Sequence, residues 1–216
     1  MSGVGFACTG VRAERYAVGP TLQFGLRITA ETPDTRVHAM ALRCQLRVEP
    51  GRRRYGPAEE ARLADLFGTR DRWPHTMHPL QFAQVSTVVP GFTGSTEIEL
   101  AVPCSYDMDV AAARYFAALA EGGIPLLLLF SGTVFSGPQG FAVHPVPWDR
   151  EANCLLPVDT WREMVEQHFP GCGWLRLPGA AMDALLEYRS RHALPSWEAT
   201  VAALLAHAET PEVAAP

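Results

Sequence analysis

The run IPLLLLFSGTVFSG, Ile124 to Gly137, is the most apolar stretch of the chain and the one that most narrows its fold. A helix that crosses a bilayer needs about 20 mainly apolar residues, whereas Ile124 to Phe130 supplies seven before Ser131, Gly132 and Thr133 intervene. Pro125 suits the first residue of a strand better than a helix interior. Bounded by Gly122-Gly123 and Gly137-Pro138, the run reads as a central strand covered on both faces.

Other strands announce themselves by alternation. Leu22 to Ala30 sets Leu22, Phe24, Leu26 and Ile28 against Gln23, Gly25, Arg27 and Thr29, and Val37 to Val48 sets Leu42, Cys44, Leu46 and Val48 against Arg43, Gln45 and Arg47. With Thr32-Pro33-Asp34 between them as a turn, the two are expected to pair as an antiparallel hairpin. Phe82 to Val89 and Thr96 to Val102 flank a second expected loop, Pro90 to Gly94, and Phe141 to Val146 adds a short strand. Glu97 and Glu99 sit two apart, which places both on the wet face of their strand rather than in an acid/base pair.

Helices interrupt and then follow these strands. Pro57 to Phe67 has proline in its first turn, Glu59 and Glu60 at the positive end of its dipole, and Leu63, Leu66 and Phe67 as an apolar stripe. Asp107 to Leu119 opens with acids that read as cap residues and continues rich in alanine. Beyond Trp148 come Asp159 to Phe169, Met182 to Arg191 and Ser196 to His207, the last with Ser196 as its N-cap. The expected fold class is α+β: an antiparallel β-sandwich or curled sheet over 1–150, with two inserted helices, and a helical C-terminal region over 151–216 packed on it. Strand spacing is compatible with an immunoglobulin-like sandwich, without its Cys…Trp…Cys signature.

Composition removes several function classes. All 18 basic residues are arginine, so a phosphate-loop lysine, a Schiff-base lysine and a lysine general base are excluded. A net charge of −5 argues against nonspecific nucleic-acid binding, which depends on a basic face. The start, MSGVGFACTG, has no basic region followed by an apolar stretch, and the five cysteines are odd in number and scattered. No secreted disulfide framework is expected, and the chain is expected to be cytoplasmic.

Candidate chemistry is sparse. Arg52, Arg53 and Arg54, followed by Tyr55, form a cluster able to grip a carboxylate or phosphate in forked geometry, or simply a solvated loop. His75 and His78 are the one close pair of metal-ligand type, in a proline-bounded loop without a partner cluster. Cys104, ending a strand, and Cys172, between two glycines, are the thiol candidates, with no base or positive charge beside either in sequence. Neither Ser131 nor Ser136 lies in a nucleophile elbow, no dinucleotide turn is present, and no cofactor is implied.

The segments RCQLRVEPGRRRYGPAEEARLADLFG, VVPGFTGSTEIELAVPCSYDMDVAAARYFAAL, IPLLLLFSGTVF and WREMVEQHFPGCGWLRL resemble an actinobacterial domain-of-unknown-function family, over roughly Phe6 to Leu205. Genes of that family often sit near those of an uptake NiFe hydrogenase. The resemblance implies an accessory role in making, assembling or tethering a hydrogenase, with hydrogenase subunits or maturation factors as partners, and it assigns no catalytic residue. The stiff, glycine-bearing loops GRRRYG and PGFTG suit a binding surface, which makes Arg52, Arg53, Arg54, Tyr55 and Phe92 the expected partner contacts. Two rival readings are a metal-handling or thiol enzyme built on His75, His78, Cys104 or Cys172, and a sandwich that binds a small molecule.

Overall fold

The computed structural model describes residues 3–104, 110–137, 142–171 and 177–209. In chain order the strands are β1 (Val4–Ala13), β2 (Thr21–Ala30), β3 (Arg36–Val48), β4 (Leu80–Thr93), β5 (Ser95–Pro103), β6 (Gly123–Ser136), β7 (Ala142–Pro145) and β8 (Glu151–Pro157). The helices are α1 (Pro57–Phe67), α2 (Trp73–Thr76), α3 (Val110–Ala118), α4 (Val158–His168), α5 (Gly179–Arg191) and α6 (Trp197–Glu209). Residues fall into two compact units, Met1–Gly171 and Cys172–Pro216. β8 and α4 belong to the first, so its sheet continues past residue 150.

The first unit is an antiparallel β-sandwich with helices at its margins, an α+β fold. Sheet A has the order β1-β2-β5; sheet B has the order β4-β3-β6-β7, with β8 also paired to β6. Leu22, Phe24, Leu26 and Ile28 of β2 and Met40, Cys44, Leu46 and Val48 of β3 are fully buried in the common core. A fully buried leucine or phenylalanine side chain contributes about 1.5–3 kcal/mol over an exposed one, so two such facing rows dominate the stability of the unit.

β6 is the central strand that the run 124–137 predicts. Its even positions face inward, with Ile124, Leu126, Leu128, Phe130 and Val134 buried. One flank pairs with β3, Leu128 opposite Leu46 and Phe130 opposite Cys44. The other flank pairs first with β8 and then with β7. The outer face differs from the expectation of full cover, for it opens to solvent around Ser131. Gly132, at φ +146°, lies so close to β3 that a Cβ there would come within 2.0 Å of the Ala41 carbonyl oxygen.

The expected hairpin and the expected second loop are corrected. β2 and β3 do not pair: β2 lies in sheet A between β1 and β5, and β3 in sheet B between β4 and β6. Residues 31–35 carry the chain from one sheet to the other, so the two alternating faces bury against each other rather than side by side. The same holds for β4 and β5, and the expected loop Pro90 to Gly94 contracts to Gly94 alone, at φ +71°, because Pro90 to Thr93 continue β4. The Ala30 N–H donates to the Gly94 carbonyl oxygen at 2.7 Å, closing that corner.

α1 starts with Gly56 as N-cap and Pro57 in its first turn, and buries Glu59, Leu63 and Phe67 at helical spacing. α3 meets it with Tyr115 against Phe67 at 6.3 Å between ring centroids, while Phe116 of α3 packs against Trp161 of α4 at 4.6 Å and against Phe82 of β4 at 5.3 Å. Such edge-to-face pairs are worth roughly 0.5–1.5 kcal/mol beyond the area they bury. In the second unit α5 packs on α6. Ser196 caps α6 as expected, its Oγ accepting the Ala199 N–H at 3.2 Å.

A disulfide joins Cys8 of β1 to Cys154 of β8, with Cα atoms 5.6 Å apart across 146 residues of sequence. Scattered spacing gave no sign of this pairing, because only the folded seam between the two sheets brings the strands together.

Candidate functional site

The two outer faces of the sandwich carry different chemistry. On sheet A, Arg27 stands directly opposite Glu97 and pairs with it at 2.7 Å, and Arg12 pairs with Glu99 at 2.8 Å. Glu97 and Glu99 are exposed, as their spacing predicts, and their charges are answered locally. Sheet B carries apolar side chains in water instead: Val88 of β4 is 71% exposed, Val143 of β7 60% and Leu155 of β8 61%. β-branched and aliphatic side chains on an outward strand position gain nothing from the sandwich core, and their grouping on one face is what distinguishes them from scattered exposed residues.

Across the middle of that face runs an open depression of about 520 Å³. Register places its side chains: Arg43 lies between Ser86 and Ser131, and Ala41 between Val88 and Thr133. Arg43 is exposed and pairs with no carboxylate among the described residues. A second cleft of about 300 Å³ lies where β1 ends near α4, lined by Arg12, Glu14, Arg15 and Glu163. Those four groups pair with one another or with Glu99 and present no free charge.

The arginine cluster is divided by the fold. Arg52 is exposed, and its guanidinium donates to Asn153 Oδ1 at 2.6 Å, which sets it beside β8 at the margin of sheet B. Arg54 is exposed as well. Arg53 turns inward with a side chain only 9% exposed, donating to Glu59 at 2.6 Å and to the carbonyl oxygens of Glu121 and Gly123 at 2.6 and 2.8 Å. Burial would raise the Glu59 carboxyl, but the N–H groups of Ala120 and Gly56 and the charge of Arg53 outweigh it and hold the group below its ordinary value. Tyr55 donates its hydroxyl to the Pro50 carbonyl at 2.7 Å, so the Tyr115 hydroxyl, also at 2.7 Å, must donate to Tyr55. Burial pushes the Tyr55 phenol up to about 12 and that of Tyr115 further still. Arg53 and Tyr55 thus stiffen the loop that presents Arg52 and Arg54.

Phe92 is half-buried and packs against the core from β4. His75, in α2, and His78, just past it, are both exposed, and the described residues hold no group of three or more metal-ligand side chains. Cys104 is buried, with its thiol near the Val102 carbonyl at 3.5 Å, and burial pushes it up to about 12, as it does the Cys44 thiol. Neither supplies a useful thiolate at neutral pH. Cys172, Asp107 and Asp109 lie outside the described residues.

Arg43, Val88, Val143 and Leu155 were not singled out by sequence reasoning. The signal was present in part: Arg43 falls on the polar side of an alternating strand, and Val88 and Leu155 each stand two positions after a polar residue, Ser86 and Asn153. What alternation lacks is the order of strands that gathers these positions on one surface.

The sequence profile of a family of unknown function, DUF6084, matches residues 1–213. The chain belongs to the DUF6084 family. No match is found among curated proteins. Solved structures similar to this DUF6084 chain include a late embryogenesis abundant protein in solution, at 12% identity over 71% of each chain with a TM-score of 0.32. Another is β-glucosidase 3B from Thermotoga neapolitana, at 10% identity and a TM-score of 0.24 over 71% of this chain and 17% of the glucosidase. At such scores neither likeness bears on what the DUF6084 chain does. Among the described residues no helix is long and apolar enough to cross a membrane.

Proposed function

We propose that this chain is a non-enzymatic accessory or assembly protein that works by binding another protein through the outer face of sheet B. The observation that carries the reading is the pairing of exposed Val88, Val143 and Leu155 with the unpaired Arg43 on one β surface, while the opposite sheet neutralises its own charges. Arginine is enriched at binding hot spots, and Arg43, able to make forked hydrogen bonds, has Val88 diagonal to it, with Val143 and Leu155 farther along the same face. Arg52 and Arg54, presented by the loop that Arg53 and Tyr55 hold, extend this surface at its margin, and Phe92 fixes the far end of β4. The resemblance of the sequence to a family encoded near NiFe hydrogenase genes supports a hydrogenase subunit or maturation factor as partner, and a cytoplasmic place of work.

The test is affinity capture of the tagged full chain from its native cells, grown under conditions that induce hydrogen uptake, with mass spectrometry of the eluate. Hydrogenase subunits or maturation factors at stoichiometric level are expected. A chain that elutes alone, or that turns over a substrate by itself, contradicts the proposal. A second reading takes Arg43 between Ser86 and Ser131 as the seat of a small carboxylate or phosphate, and it expects a ligand-dependent rise in Tm that Arg43→Ala abolishes.

A further inference from the structure

β1 and β8 lie side by side at the edge of the sandwich, yet no backbone ladder joins them: β1 pairs with β2, and β8 with β6. The opposite seam, between β4 and β5, is tied by the chain itself at Gly94. The β1–β8 seam is closed by side chains alone. Phe6 of β1 stacks on Phe130 of β6 at 4.1 Å between centroids, and next to that pair Cys8 is bonded to Cys154. The Cα separation of 5.6 Å lies in the middle of the range that a disulfide requires. A bulge follows at once, for Cys8 opposes Leu26 and Gly10 opposes Gly25, leaving Thr9 as the extra residue. Bulges bend a strand and re-aim its side chains, and this one directly follows the residue that is bonded to β8 of sheet B.

We infer that the Cys8–Cys154 pair is a reversible redox clasp that locks the β1–β8 seam of the sandwich in its oxidised form and lets it open in its reduced form. The fold makes the exchange selective, since Cys8 is half-buried while Cys44 and Cys104 are enclosed in the core. Reduction takes a dithiol. Its thiolate attacks the sulfur of Cys8, and Cys154 leaves as a thiolate and takes up a proton. The second thiol of the reductant then resolves the mixed disulfide and releases Cys8. Two electrons and two protons pass to the chain, and the dithiol becomes a cyclic disulfide; an oxidised glutathione pool reverses the reaction. With the bond gone, the Phe6–Phe130 stack and neighbouring side chains hold the middle of the seam, and α4 stays tied to the chain just past β1 through Gln167 and His168, which meet the Arg15 and Ala17 carbonyl oxygens. The ladders inside each sheet are untouched, so opening stays local to the seam. This inference stands apart from the identity of any partner.

The experiment uses the full chain with Cys172→Ser, equilibrated in glutathione buffers of graded redox ratio, then alkylated with N-ethylmaleimide and mapped by peptide mass spectrometry. Amide hydrogen exchange is followed on the fully oxidised and the dithiothreitol-reduced protein. The expected result is that Cys8 and Cys154 gain label together in a single two-electron transition, while Cys44 and Cys104 stay unlabelled. Exchange then rises several-fold in 4–13 and 151–157, and the centres of β3 and β6 keep their protection. Cys154→Ser is expected to show the reduced exchange pattern whatever the buffer. Labelling of Cys8 and Cys154 in the oxidised protein overturns the proposal. So does equal exchange in both forms, or a loss of protection throughout the reduced chain, which would make the bond a structural staple rather than a clasp. If the serine variant does not fold, the native chain under dithiothreitol still decides the matter.

Discussion

Arg53 and Glu59 show how much a single side chain can change the meaning of a motif. Three consecutive arginines read as one basic patch, but the partners of the middle one, the carbonyls of Glu121 and Gly123, lie 68 and 70 positions away, where a local pattern does not reach. Removing one member of a buried pair leaves the other charge unanswered, at a cost of about 3–5 kcal/mol. Arg53→Ala is expected to lower Tm on the order of 10 °C, whereas Arg54→Ala, on an exposed side chain, should leave it within about 2 °C. The Glu59 carboxyl is depressed in the folded chain, so the stability it contributes is present above the ordinary carboxylate value of 4.5 and is lost as the pH falls through the lower folded value. Chemical denaturation of Glu59→Gln is therefore expected to show a shallower loss of stability than the wild type as the pH falls from about 4.5 downward. An identical pH dependence in both would remove Glu59 from the account.

Among the elements, β6 was the most legible and β1 the least. A short apolar run bounded by glycines and opening with Pro125 reads as a strand at the centre of a sheet, and β6 is that. The alternation of β2, β3 and β5 gave their buried faces correctly, but alternation states which side of a strand is dry and not which strand lies beside it. The expected hairpin of β2 and β3 was lost for that reason. In β1, Val4, Phe6 and Cys8 alternate with Gly5, Ala7 and Thr9 until the bulge at Thr9 shifts the parity, which breaks the period that would have revealed it. Gly132 carries the tightest geometric demand in the sheet. Gly132→Ala combines an unfavourable positive φ with an overlap against the Ala41 carbonyl, and is expected to cost at least about 2 kcal/mol, read as a lowered denaturant midpoint with an unchanged slope. An unaltered midpoint would mean that β3 and β6 are held less closely than the structure shows.

For the whole molecule the informative contrast is between the two faces of the sandwich. Sequence reasoning placed the strands in 1–150 and a helical region in 151–216, and it directed attention to the surface loops, where only Arg52 and Arg54 of the cluster remain exposed. The surface now proposed depends on β3, β4, β6, β7 and β8 lying in one sheet, a fact of long-range order that no local window contains. The link to a hydrogenase rests on the resemblance of the sequence and not on any residue of that surface. Replacing Val88 and Leu155 by aspartate removes no core contact, so the double variant should keep its stability within about 1 kcal/mol. The most direct measurement is quantitative capture of the partner by three forms of the chain in parallel: wild type, Val88→Asp with Leu155→Asp, and Arg27→Glu on sheet A as control. Loss of at least tenfold of the captured partner with the sheet B variant alone is the result expected. Equal capture by all three, or loss with the sheet A variant alone, would contradict the assignment of the binding face to sheet B.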